Sequence, residues 1–164
     1  MYKHMLVPID GSETARLGLN EAIKLAKHLG ADIRLIYVLD KLSNIPAEAV
    51  QPFVDQLRGD GESVVHDAIT AVRDAGIAVD GRVIDALGSE AGECIVMEAV
   101  SWPADLIVCG THGRRGVRRI LMGSDAECIL RRSPVPVLMI RDKTASESGP
   151  SRSGDPVPGL PIIA

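Results

Sequence analysis

DLIVCG, residues 105–110, is a continuous apolar run bounded by Asp105 and Gly110, and it leads directly into THGRRGVRRILMGSD, residues 111–125. An apolar run this short, bounded by such residues, reads as a strand buried on both faces, as in parallel sheets. After Gly123 and Ser124, the residues Ala126, Ile129 and Leu130 fall at helical spacing. Ser124 stands where its hydroxyl can cap that helix. A strand, a glycine-rich connection and a helix make one β-α step, and the rest of the chain repeats it.

Upstream, residues 5–9 (MLVPI) read as a first strand ended by Asp10, Gly11 and Ser12. Ser12 is a good N-cap for the following helix. Ala15, Leu19, Ala22, Ile23, Ala26 and Leu29 recur at helical spacing, and Gly30 stands where a left-handed C-cap is wanted. Residues 31–40 form a second strand. Pro46 and Pro52 mark a loop, and the stripe Val64, Val65, Ala68, Ile69 and Val72 predicts a helix from about Asp60 to Gly76. Residues 77–85 make a third strand, interrupted by Gly81. Ser89 and Glu90 open a third helix through Ile95, Val96, Ala99 and Val100, which Pro103 stops. Residues 135–140 (VPVLMI) are the last strand.

Strands alternating with helices predict an α/β fold: a doubly wound, five-stranded parallel sheet with right-handed crossovers and helices on both faces. The domain occupies residues 1–142. Residues 143–164 turn to Ser, Pro, Gly and charge and read as a flexible C-terminal tail.

Composition narrows the function. Hydrophobic residues make up 46% of the 164, but aromatics only 2%, so the core must be aliphatic. A formal net charge of −4 argues against a nucleic-acid partner, because such domains are normally basic. Cys94, Cys109 and Cys128 are widely spaced with no CxxC pair, which fits a reducing cytoplasm. The N-terminus does not read as a signal peptide, and no segment approaches the roughly 18 apolar residues of a membrane span. The expectation is a cytoplasmic protein without a membrane partner.

In an open doubly wound sheet, ligands bind beyond the carboxyl ends of the strands, where strand order reverses. That crevice is expected between strands one and four. It gathers Pro8, Ile9, Asp10, Gly11 and Ser12 from one side and the stretch starting at Gly110 from the other. Glycines let backbone N–H groups approach a phosphate, and a helix N-terminus adds a favourable dipole. Neither GxxxxGK[ST] nor GxGxxG is present. The residues alone therefore leave both a phosphate cradle and an ordinary turn open. Arg118, Arg119, Arg131 and Arg132 read as a solvated basic face, and Cys109 as core packing.

Three segments in order, LVPIDGSE, GTHGRRGVRRILMGS with its spacing Gly110-x2-Gly113-x9-Gly123-Ser124, and LRRSPVPVLMIR, resemble the ATP-binding branch of the universal stress protein family. The resemblance covers residues 1–142. It implies a Rossmann-like fold of the adenine nucleotide alpha hydrolase-like type, dimeric through the last strand, Val135 to Ile140. It implies that Pro8, Ile9 and Asp10 flank the nucleoside, with Asp10 near the ribose or a phosphate-bound Mg²⁺. Val38 would meet the adenine through its backbone. Gly110, His112, Gly113, Arg114 and Gly116 would line the ribose and phosphates. Gly123 and Ser124 would hold the terminal phosphates, and the amide of Asp125 would complete the cradle. One residue departs from the family's pattern. The position after Gly-Ser is usually uncharged in the family; Asp125 would repel a triphosphate that it faced, or could instead point outward and support the helix N-terminus, or help hold Mg²⁺.

The resemblance thus implies a dimeric regulatory module that binds ATP. A slow ATPase or autokinase at the same site is the enzymatic alternative, but no recognisable catalytic set accompanies the glycine motif. A nucleotide-free interaction module is the third, and the intact glycine spacing argues against it.

Overall fold

The computed structural model describes residues 1–39, 47–86, 88–111 and 122–141. Strand β1 (His4–Pro8) lies at the centre of a five-stranded sheet ordered β3-β2-β1-β4-β5. Its neighbours are β2 (Asp32–Leu39) and β4 (Leu106–Gly110). Strands β3 (Val79–Asp85) and β5 (Val137–Ile140) form the edges, and all pairs are parallel.

Alternation along β1 divides the core. Met5 and Val7 pack on one face with α1 (Glu13–Leu29) and α2 (Ala47–Asp74), through Leu19, Ala22, Ala26, Val65, Ala68 and Val72. Leu6 points to the other face, with Ile95 and Ala99 of α3 (Ala91–Ser101) and Ile129 of α4 (Ser124–Arg132). The predicted doubly wound sheet is therefore present, and its core is aliphatic.

Helix α1 begins and ends as its residues predict. The Ser12 hydroxyl accepts from the Ala15 N–H, and Gly30 closes the helix in the left-handed region at φ 61°. Helix α2 differs: it starts at Ala47, well before Asp60, and contains Pro52. Pro52 is the sixth residue of the helix, so it forfeits the bond that an N–H there would make to the carbonyl four residues back. Gly61, which punctuates the sequence, is absorbed because α2 lies on Tyr37, whose ring would stand 2.9 Å from a Cβ at that position. Strand β5 is shorter than expected. Val135 sits in a turn whose N–H bonds to the Ser133 hydroxyl, while the Pro136 carbonyl still accepts from Ile107.

A charged cluster anchors α3 at the amino ends of the strands. Glu98 is only 7% exposed and accepts from Arg34 Nη1 at 3.0 Å and from Arg82 Nη1 at 3.3 Å. Arg34 is also paired with Asp80, and its guanidinium lies 4.8 Å from the centre of the Trp102 ring. A buried carboxylate persists only when paired in this way.

Cys109 is buried in β4 as core packing, and burial pushes its thiol up to about 11. The neutral form is thus favoured in the folded state. Its contribution to stability is full below the unfolded thiol value, about 8.5, and is lost as pH rises through about 11. Urea unfolding followed from pH 8 to 11 is expected to show a loss on the order of 2–3 kcal/mol that is absent in Cys109→Ala.

Candidate functional site

The switch point of the sheet lies between β1 and β4. From it α1 leaves toward one face and α4 toward the other, so a crevice opens above the carboxyl ends of these two strands. Pro8 ends β1, and the Ile9 N–H donates to the Ile36 carbonyl at 2.9 Å, which extends the β1–β2 ladder by one bond. Asp10 is half-buried, and its Oδ1 accepts the Ser12 N–H at 2.9 Å. Gly11 between them has φ 79°, a conformation that favours glycine. The chain therefore turns sharply around the Asp10 carboxylate and enters α1.

Gly110 closes the other side. A Cβ at that position would stand 2.8 Å from the Thr14 carbonyl carbon and 2.9 Å from its oxygen. One turn along α1, a Cβ at Gly18 would be 3.4 Å from the backbone of Cys109 and Gly110. The first turn of α1 thus presses on the end of β4, and glycine at 110 is required by that contact.

Beyond Gly110, the buried Thr111 holds the base of the glycine-rich connection. Its N–H donates to the Ile140 carbonyl and its own carbonyl accepts from Gly123, both at 3.0 Å. His112, Gly113, Arg114 and Gly116 lie outside the described residues. The two ends of their segment are pinned to one point. Thr111 was not among the expected site residues, and nothing in the sequence distinguishes it from an ordinary loop threonine.

Helix α4 starts differently from expectation. Gly123 is the N-cap, without a side-chain bond, and Ser124 is the first helical residue with an exposed side chain. The Ser124 hydroxyl makes no hydrogen bond to a described residue, so the expected cap does not form. A glycine N-cap leaves the first N–H groups of the helix without a side-chain acceptor of their own. The Gly123 N–H is itself engaged with Thr111; those of Ser124 and Asp125 belong to the open first turn.

Asp125 turns aside, and its Oδ1 accepts the Gly92 N–H at 3.2 Å in the first turn of α3. The N-cap of α3, Glu90, makes no side-chain cap bond, so the carboxylate from α4 supplies it. The expectation set this carboxylate at the N-terminus of its own helix, whereas its hydrogen bond goes to the neighbouring one. Gly92 permits the contact: a Cβ there would stand 2.7 Å from Cys128 Cβ.

Val38 is near the end of β2. Ile36 directs its carbonyl toward β1, whereas Ile33 and Leu39 bond toward β3. Alternation then turns the Val38 N–H and carbonyl toward β1, beyond the last β1–β2 pair, Pro8 with Ile36. They face the crevice. Arg131 and Arg132 lie at the far end of α4, roughly 10 Å along its axis. There they pair with Glu127 and Glu93, as a solvated basic face would.

No group of three or more His, Cys, Asp or Glu side chains converges to hold a metal among the described residues. Magnesium at a phosphate site needs only one or two carboxylates beside the phosphates and water, and Asp10 fits that part. A separate groove of about 320 Å³ lies between α2 and β3, lined by Arg58, Glu62, His66 and Val83 among others. Arg58 is paired with Asp85, so the groove has no free convergent charge from that residue.

Comparison with known proteins agrees with this architecture. The sequence model of the universal stress protein family matches residues 1–141. Universal stress protein MJ0531 of Methanocaldococcus jannaschii is 32% identical over 144 residues, covering 86% of this chain and 83% of its own. Hypothetical protein MJ0577, solved as a test case of structural genomics, superposes with TM-score 0.80 at 26% identity, covering 87% and 98%. A universal stress family protein from Burkholderia pseudomallei gives TM-score 0.70 at 31% identity, covering 85% and 96%. Two more distant structures share the fold: a universal stress protein in complex with cAMP (TM-score 0.64, 22% identity, 85% and 97%) and one from Archaeoglobus fulgidus in complex with dAMP (0.62, 21%, 85% and 98%). By its sequence over residues 1–141, and with the matching fold, the chain belongs to the universal stress protein family.

Proposed function

We propose that this protein is a cytoplasmic, dimeric regulatory module that binds an adenine nucleotide, ATP with Mg²⁺, between the carboxyl ends of β1 and β4. The observation that carries this is the meeting of the Asp10 turn with the uncapped start of α4 across one switch-point crevice. The N-terminus of α4 offers backbone donors and a favourable dipole to phosphate. The backbone of Val38 offers a donor and an acceptor to the base. Pro8, Ile9 and Asp10 flank the nucleoside, and Asp10 supplies one carboxylate to the metal. Gly110, His112, Gly113, Arg114 and Gly116 complete the ribose and phosphate contacts, with Gly123, Ser124 and the Asp125 amide at the terminal phosphates. Binding of cAMP and dAMP by fold relatives supports an adenine nucleotide as the ligand class.

The binding test is thermal. Mg·ATP at about a hundredfold excess over its Kd is expected to add about 2.7 kcal/mol of stability. Gly113→Val is expected to abolish that gain and leave the dimer intact. No shift with ATP or any related adenine nucleotide would contradict the proposal.

Assembly is proposed through β5. Val137, Leu138, Met139 and Ile140 are all half-buried on an edge strand, whereas the opposite edge, β3, carries exposed Asp80, Arg82 and Asp85. Charged edges resist pairing and apolar ones invite it. Pro136 and Ile140 bond toward β4, so Leu138 does too, and Val137 and Met139 direct their N–H groups outward. Met139→Pro is therefore expected to remove a donor from the free edge while sparing the β4 ladder. Light scattering should give twice the 17.4 kDa chain mass for the parent and the single mass for the variant. A variant that remained dimeric would place the interface elsewhere.

A further inference from the structure

We propose that Asp125 makes the crevice select against phosphate charge, so that it favours adenine nucleotides of low net charge or a triphosphate neutralised by a divalent cation. This deepens the nucleotide proposal above and rests on it. The carboxylate cannot be discounted as a solvent-facing side chain. Its Oδ1 accepts the Gly92 N–H at 3.2 Å, and the two helix starts are pressed together, with 2.9 Å between a Cβ at Gly92 and the Asp125 carbonyl oxygen. The charge is thereby fixed between the N-termini of α3 and α4.

The two helix starts offset part of its charge, and the neighbouring ion pairs do not involve it. The other carboxylate in the first turn of α4, Glu127, is paired with Arg131. Glu93, in the first turn of α3, is paired with Arg132. No cation pairs with Asp125 among the described residues. An anion resting on the Ser124 N–H would therefore meet attraction from the helix start and repulsion from the adjoining residue. At separations of roughly 5–8 Å in a hydrated site, each added phosphate charge is disfavoured about two- to threefold at low salt. ATP carries roughly two more negative charges than AMP at neutral pH, so the discrimination between them is about fivefold or more.

Two substitutions separate charge from structure. Asp125→Asn keeps an oxygen acceptor for Gly92 and removes the charge; Asp125→Ala removes both. Affinities for AMP, ADP and ATP would be measured by calorimetry without divalent metal, at low salt and at about 0.5 M salt, where screening suppresses the effect. D125N is expected to raise the ratio of ATP to AMP affinity about fivefold, with a small loss of melting temperature and the difference fading at high salt. D125A should show the same change in the ATP-to-AMP ratio with a lower melting temperature. Parallel changes for ATP and AMP, or none, would overturn the proposal while leaving nucleotide binding standing. Absence of binding by the parent to any of the three, with Mg²⁺ or without, would overturn the nucleotide proposal and this one with it.

Discussion

The functional end of this molecule depends on how closely α1 approaches the end of β4. With only hydrogen at residue 110, the strand backbone comes within van der Waals contact of Thr14, and Gly18 allows the same approach one turn later. Helix α1 is thus held over both β1 and β4, at the switch point of the sheet. Asp10 and Ser12, which start that helix, are brought beside the exit of β4 by the same contact. Thr111 then ties the exit of β4 to β5 and to Gly123. The crevice is consequently a product of backbone proximity, and side chains contribute to it second.

The opposite face uses the same device with a different outcome. Gly92 lets α3 settle onto α4, and the space a side chain would fill is occupied by Cys128 and the Asp125 carbonyl. The clasp carries charge, because Asp125 caps α3 from α4. A residue that stands out in the glycine-rich motif therefore has a structural partner in the neighbouring helix. Near the other end of α3, Glu98 is held by Arg34 and Arg82, so polar contacts fix the helix to α4 near its start and to the sheet near its end.

Much of this was legible in the sequence where a local signal and a long-range one agreed. DLIVCG, the Ser12 and Gly30 caps of α1, and the strand–helix alternation all act through near neighbours, and all are found. The start of α2 was missed because Pro52 and Gly61 are breakers by local preference; at Gly61 the packing of α2 on Tyr37 overrides that preference. Ser124 was misplaced by one position: Gly123 takes the cap because its carbonyl accepts the first helical bond, from Glu127, and its N–H is held by Thr111. The Asp125–Gly92 bond joins residues distant in sequence and carries no periodic signature. A glycine inside a helix was the available hint, since it costs about 1 kcal/mol relative to alanine and implies a close contact. Of the expected site residues, Pro8, Ile9, Asp10, Val38, Gly110, Gly123, Ser124 and Asp125 are described, and strand order sets the ends of β2, β1 and β4 side by side.

The most direct measurement is an amide-resolved NMR titration with Mg·ATP. The account predicts shifts concentrated at Gly11, Ser12, Val38, Thr111, Ser124 and Asp125, with a secondary response at Gly92 through the shared carboxylate. Shifts confined to the groove around Arg58, His66 and Val83, with the β1 and β4 termini unmoved, would contradict it.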